Sequence, residues 1–176
     1  MRRLLLALAG AILIATAQHS EAADLENTLY IDTEDGRITI ELLPDVAPKH
    51  VERIKELARE GFYDGIIFHR VIDGFMAQTG DPTGTGRGGS KKPDLPAEFS
   101  NVPFDRGVVG MARSQNPNSA NSQFFIMFDE GHFLNGQYTV WGKVTEGMEH
   151  VDSIPKGEPP RNPGKMVKVQ VAADAQ

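Results

Sequence analysis

Apolar and polar residues alternate over residues 28–33 and 37–42, with Leu29, Ile31, Ile38, Ile40 and Leu42 at the apolar positions. A period of two is the pattern of a strand with one buried face. Asp35 and Gly36 lie between the two runs, which predicts a β-hairpin. The period then lengthens. Val51, Ile54, Leu57 and Ala58 recur at helical spacing after Pro48, which suits a helix's first turn, and Gly61 ends the stretch. Two strands follow, around Phe68 and around Met76, joined by a turn at Asp73 and Gly74. Residues 108–112, 123–128 and 138–144 predict further strands, 148–154 a short helix, and 166–171 a last alternating strand. Residues 80–96 and 156–165 are rich in Pro and Gly and predict irregular chain. Many short strands with turn punctuation predict a mainly β fold, as a closed sheet or a sandwich.

The segment from Phe68 to Asp81 carries the most chemistry. Alternation puts Phe68, Arg70 and Ile72 on one side of its first strand, and Met76 and Gln78 on one side of the return strand, with Phe75 opposite. A permanent cation, an amide and soft apolar side chains thus meet at one patch. That set does not suit a nucleophile. It suits holding an apolar group while donating hydrogen bonds to a neutral one.

This segment, with residues 122–126 (SQFFI), resembles the cyclophilin family of peptidyl-prolyl cis-trans isomerases, and the likeness runs from about Leu29 to Val171. The resemblance implies a closed eight-stranded antiparallel β-barrel capped by two α-helices, and catalysis of rotation about X–Pro bonds with no metal or cofactor. Arg70 matches the catalytic position, and Gln78 the amide that orients it. Phe75, Met76, Phe125 and Leu134 match the proline pocket, and Gln123 a polar group beside it. Ala112 and Arg113 match the stretch whose backbone pairs with bound peptide, Arg113 replacing the usual asparagine. Gly84, Thr85 and Gly86 resemble the glycines at the groove's edge. Two departures stand out. Phe133 occupies a position where many members carry a tryptophan that donates to cyclosporin, so weakened cyclosporin binding is expected. Tyr138 stands where those members have histidine.

Composition narrows the setting. The chain has 176 residues, 40% hydrophobic and 24% charged, which fits one globular domain. It has no cysteine, which excludes disulfides and thiolate metal sites. Arg2 and Arg3 precede an apolar run from Leu4 to Ala17, followed by small residues at Ser20 and Ala22. This reads as a secretory signal peptide over residues 1–22, with Ala17 an alternative cleavage point, and predicts export to the bacterial periplasm. The apolar run is short for a membrane span, which needs about 20 residues. Losing Arg2, Arg3 and Glu21 moves the formal net charge from −6 to −7. An acidic domain of 23–176 with no basic cluster argues against nucleic acid or membrane partners. Flexible, proline-containing polypeptides are the partners that the family resemblance implies. Nothing in the sequence suggests an obligate dimer, so a monomer is expected.

Other motifs carry less. Residues 84–89 fit G-x-G-x-x-G, but Pro82 and Pro93 flank them where a dinucleotide site needs a strand and a helix. His50, His69, His132 and His150 lack metal-ligand spacing. His69 alternates with Arg70 and is expected to pack or to cap a turn, and Trp141 to lie in the barrel core. Two rival readings are a proline-peptide binding module with little turnover and a structural barrel without ligand. Arg70 separates the first rival from an enzyme, because a pure binder has no use for a cation at an amide nitrogen. The joint presence of Arg70, the apolar set and two glutamines weighs against the second.

Overall fold

The computed structural model describes residues 24–175, so the expected signal peptide and its cleavage point lie outside the described residues. The described residues form eight strands and two α-helices. β1 (Thr28–Asp32) and β2 (Arg37–Leu42) make the hairpin that alternation predicts, in register from Thr28 opposite Glu41 to Asp32 opposite Arg37. Leu29, Ile31, Ile38 and Ile40 are fully buried, so the apolar phase of both strands faces the core. Helix α1 (Pro48–Arg59) buries Val51, Ile54, Leu57 and Ala58, the stripe read from the sequence. Its N-cap residue, Ala47, offers no capping side chain. The orphan amides of Lys49 and His50 donate instead to the Glu98 carboxylate, at 3.1 and 3.0 Å. The ring of His50 also binds Glu98, and burial holds that imidazole's pKa below its ordinary value.

β3 (Arg70–Ile72) and β4 (Met76–Thr79) form the second hairpin, turned at Gly74 with φ +68°. Its register sets Arg70 opposite Gln78 and Ile72 opposite Met76. β5 (Val108–Met111), β6 (Phe124–Met127) and β7 (Val140–Glu146) follow, then α2 (Met148–Ser153) and β8 (Lys168–Val171). Gln123 and Tyr138 fall just outside the strands expected to contain them. All ladders are antiparallel, and the sheet runs β3-β4-β6-β5-β7-β2-β1-β8.

That order corrects the closed barrel. The sheet is an open half-barrel whose edges, β3 and β8, share no ladder. The gap is bridged by irregular chain. Ile67 pairs singly with Lys165, Val71 with Gly157, and the Phe68 amide donates to the Gly164 carbonyl at 2.9 Å. Pro155, Pro159, Pro160 and Pro163 lie along this bridging segment, and a residue without an N–H cannot extend a ladder. The same seam corrects the placement of Phe68. β3 begins only at Arg70, so the alternation does not extend back to Phe68, which is fully buried in the main core with Val71 rather than beside Arg70 and Ile72.

Two apolar clusters share the central strands. The main core holds Trp141, Tyr63, Phe124, Ile126 and the α1 stripe. A smaller cluster on the opposite face holds Met76, Phe104, Val108, Phe125, Met127, Leu134 and Val140.

Candidate active site

The smaller cluster floors a groove of about 470 Å³ lined by Arg70, Phe75, Met76, Gln78, Ala112, Arg113, Phe125, Phe133, Leu134 and Tyr138. Every candidate except Gln123 is therefore on one surface. Gln123 lines a neighbouring hollow of about 520 Å³, which shares Gln78, Ala112 and Arg113 with the groove and is walled by residues 86–90.

The floor is built by strand parity. β4 turns Met76 and Gln78 to the groove and Ala77 to the core; β6 turns Phe125 and Met127 one way, Phe124 and Ile126 the other. Phe75 joins Met76 on the groove because it precedes β4, inside the turn closed by its amide on the Ile72 carbonyl. The Phe125 ring stacks on Phe104 (5.7 Å between centroids, 26°) and meets Tyr138 edge-on at 5.8 Å. Gly110, opposite Phe125 in β5, makes the room: a Cβ there would lie 2.5 Å from the Phe125 ring and 2.6 Å from the Phe104 ring. Phe133 rises from a short 3-10 helix (His132–Leu134), 73% exposed against Phe75, while Leu134 beside it is buried.

Polar groups form a relay along the lip. Arg70 donates through Nη1 to Gln78 Oε1 (3.4 Å), Gln78 Nε2 to Gln123 Oε1 (2.9 Å), and Gln123 Nε2 to the carbonyls of Gly88 (2.8 Å) and Gly86 (3.1 Å). Each amide is oriented by its neighbour, so one face of the guanidinium is tied to the 80s loop. Arg113 lies over the Tyr138 ring at 4.5 Å and donates to the carbonyls of Gln137 and Ser114, joining both walls of the groove. The Ala112 amide is spent on the Gln123 carbonyl.

The 80s loop has its own anchor. Asp81 is buried and accepts from the amide and hydroxyl of Thr83 and from the Gly86 amide. Burial alone would raise its pKa, but hydrogen bonds from Thr83, Gly88 and Gly86 win and push it down to about 2. Of the three groove-edge residues, Gly86 reaches the hollow beside Gln123; Thr85 bonds to Thr83, and Gly84 packs toward Ile67. His69 packs without capping: it is buried, and neither ring nitrogen has a hydrogen-bond partner among the described residues. Burial lowers its pKa, which keeps the imidazole neutral. Trp141 is fully buried in the main core, as expected. Among the described residues no group of three or more His, Cys, Asp or Glu is arranged to hold a metal ion.

Three contributors had no local signal in the sequence. Phe104 backs Phe125 from a non-repetitive segment. Asn121 orders the hollow by accepting from the amide and hydroxyl of Ser90. Glu158 accepts from Arg70 Nε at 2.8 Å across 88 positions of chain. Only Asp81 had a readable sign, a short acidic side chain two residues before a threonine in a Gly-rich turn.

An open half-barrel of eight antiparallel strands with an apolar, arginine-lipped groove on one face is the cyclophilin-like architecture. A family model described as cyclophilin type peptidyl-prolyl cis-trans isomerase/CLD matches residues 28–172. A probable peptidyl-prolyl cis-trans isomerase of Brucella suis biovar 1 (strain 1330) is 57% identical over 182 residues, covering 94% of this chain and 93% of the relative. Human peptidyl-prolyl cis-trans isomerase-like 3 is 45% identical over 136 residues, 73% of this chain and 82% of its own. Among solved structures, cyclophilin AquaCyp293 from Hirschia baltica superposes with a TM-score of 0.81 at 32% identity, covering 87% of this chain and 76% of that one. A Cryptosporidium parvum cyclophilin-type isomerase, solved in the presence of the dipeptide Ala-Pro, gives 0.76 at 32% identity over 82% and 98%. The chain belongs to the cyclophilin-type peptidyl-prolyl cis-trans isomerase family, and it is an enzyme that accelerates exchange about X–Pro bonds.

Proposed function

We propose that the groove holds the proline of an X–Pro segment on Phe125, Met76, Leu134 and Phe75, with Phe133 and Tyr138 as walls, while Arg70 donates to the prolyl amide nitrogen. The barrier to rotation is about 18–20 kcal/mol, because resonance delocalises the nitrogen lone pair into the carbonyl. In the twisted state that pair returns to nitrogen, which becomes a better acceptor. A donor fixed beside it binds the twisted state more tightly than either planar one, and differential binding of that kind is catalysis. One hydrogen bond from a charged donor supplies about 1.5–3 kcal/mol. The apolar floor supplies the remainder by favouring the twisted amide, which is less polar than the planar one.

The observation that carries this reading is a guanidinium, held through Nη1 and Nε, at the lip of an otherwise apolar groove. Gln78 orients Arg70, Gln123 orients Gln78, and the backbone of Ala112 and Arg113 aligns the peptide. Backbone recognition is indifferent to sequence, so substrates range widely. The Ala-Pro dipeptide used with the Cryptosporidium parvum relative supports proline-containing peptides as the ligand class here. The basic and apolar start of the chain supports export to the bacterial periplasm, where the clients are exported proteins still folding. The domain acts as a monomer and binds cyclosporin weakly. An intact mass of the exported protein matching residues 1–176 overturns cleavage after Ala22.

The reading of Arg70 is tested by cis-to-trans exchange in an X–Pro peptide, followed by NMR without a coupled protease. Arg70→Ala lowers kcat/KM by about 10- to 100-fold, the loss of one charged hydrogen bond. Arg70→Lys restores little, because an ammonium lacks the planar fork. Full activity in Arg70→Ala removes Arg70 from the mechanism. A folded wild type without acceleration leaves a proline-peptide binding module.

A further inference from the structure

Arg70 is held at two points. Gln78 takes Nη1 from within the groove, and Glu158 takes Nε from outside it, at 2.8 Å. Nη2 makes no hydrogen bond among the described residues and is left as the free donor. A guanidinium is a rigid plane on a flexible stem, so two contacts on different nitrogens fix both its position and its rotation.

The placement of Glu158 is built into the fold. The residue before it, Gly157, exchanges both backbone hydrogen bonds with Val71, the residue after Arg70, each at 2.8 Å. Glu158 and Arg70 are therefore carried side by side by a two-bond bridge across the seam. Gly157 has φ +147°, and a Cβ there would lie 2.6 Å from the Pro160 Cα, so glycine is required for the approach. Pro159 and Pro160 follow at once and stiffen the chain that presents the carboxylate.

The pair contributes little to stability. The two side chains are 43% and 55% exposed, and exposed ion pairs are screened by water. A partly solvated arginine gains nothing from a single contact that it could not get from water, but it gains a fixed orientation from two. We propose that Glu158 is a positioning residue for the isomerase reaction, turning the guanidinium so that Nη2 faces the prolyl nitrogen. This rests on the reading of Arg70 as the catalytic donor. A carboxylate beside the cation also weakens the field at the amide. Glu158 accepts from Nε and leaves Nη2 without a partner among the described residues, so it fixes the guanidinium plane without occupying the donor assigned to the amide, and orientation outweighs the lost field.

The test compares wild type with Glu158→Ala, Glu158→Gln and Arg70→Ala in the protease-free exchange assay, with the Arg70 Nε–Hε resonance followed by NMR. Glu158→Ala is expected to lower kcat about 3- to 10-fold with KM within about twofold, and to speed rotation about the Nε–Cζ bond. Glu158→Gln, which keeps an acceptor oxygen, recovers most of kcat and slows that rotation again. Unchanged kcat in Glu158→Ala overturns the proposal while leaving Arg70 in place if Arg70→Ala shows its expected loss of about 10- to 100-fold. Lost kcat with unaltered Nε–Cζ rotation overturns it too, since the loss is then not one of orientation. Full activity in Arg70→Ala overturns both.

Discussion

Phe124 and Phe125 are neighbours in one strand and live in different solvents. Phe124 turns into the main core, edge-on to Trp141 (5.3 Å) and to Tyr63 (5.5 Å), with no exposure. Phe125 turns the other way, onto Phe104 and under the groove. The same parity divides Ala77 from Met76 and Gln78, and Ile126 from Met127. One face of these strands is sealed by α1 and the hairpin. The other is covered in part by the segment carrying Phe104 and by a short 3-10 helix, and part of its apolar surface lines the groove. Sealed apolar surface holds the fold together, whereas apolar surface left reachable beside a cation becomes a binding floor. A sheet apolar on both faces thus gives a small domain a core and a site from the same strands.

The sharpest way to break that contrast is to truncate both rings. Phe124→Ala removes a ring closed in on every side and is expected to cost about 3–5 kcal/mol of stability in urea denaturation. Phe125→Ala opens a void toward the groove, where water enters, and is expected to cost about 2 kcal/mol or less. Its KM rises about tenfold, the equivalent of about 1.4 kcal/mol of lost proline contact. Equal stability losses, or an unchanged KM in Phe125→Ala, would collapse the two faces into a single core.

A smaller effect concerns the loop that walls the hollow, which is held by a carboxylate rather than by packing. The Asp81 pKa is pushed to about 2, below its ordinary 3.8. A carboxyl with a depressed folded pKa contributes stability that is complete above its unfolded value and is lost as pH falls through the folded one. The window therefore runs from about pH 4 down to about pH 2, and the shift is worth about 2 kcal/mol. Asp81→Asn should lose that amount at pH 7 and show a shallower acid limb than wild type in urea titrations at several pH values. Acid limbs of the same slope in the two proteins would mean that the loop does not depend on the charge.

What was legible in the sequence was local or motif-borne. The β1–β2 hairpin and the α1 stripe follow from periods of two and 3.6 that the core enforces residue by residue. Arg70, Phe75, Met76, Gln78, Gln123 and Phe125 lie in two motifs, the other site residues follow from the wider family resemblance, and the Arg70–Gln78 register explains why residues eight positions apart meet. Alternation failed at Phe68 because β3 has three residues, too few to carry a phase backward. The closed barrel is what the family resemblance implies, and the prolines of residues 155–163 predict only irregular chain, with no sign that this chain stands where a closing ladder would. Glu158, Glu98 and Phe104 were not legible at all. Their partners lie tens of positions away, and a contact made across the fold leaves no period in the chain.

The smallest effect tests the rim. Phe133 is exposed at the groove's rim, packed against Phe75, and carries no hydrogen-bond donor on its side chain. In members with tryptophan at the matching position the indole N–H donates to cyclosporin. Phe133→Trp restores a donor at a site with room for it, since most of the ring already faces solvent. One neutral hydrogen bond is worth about 0.5–1.5 kcal/mol, so cyclosporin affinity should rise about 2- to 12-fold by titration calorimetry. Turnover of an X–Pro peptide should stay within about twofold, because the added donor lies at the rim and not at the guanidinium. A rise in affinity with constant turnover would separate the rim at Phe133 from the floor and lip proposed to act on the prolyl bond. If affinity does not change, Phe133 does not set cyclosporin affinity, and Tyr138, where those members have histidine, is the next residue to exchange.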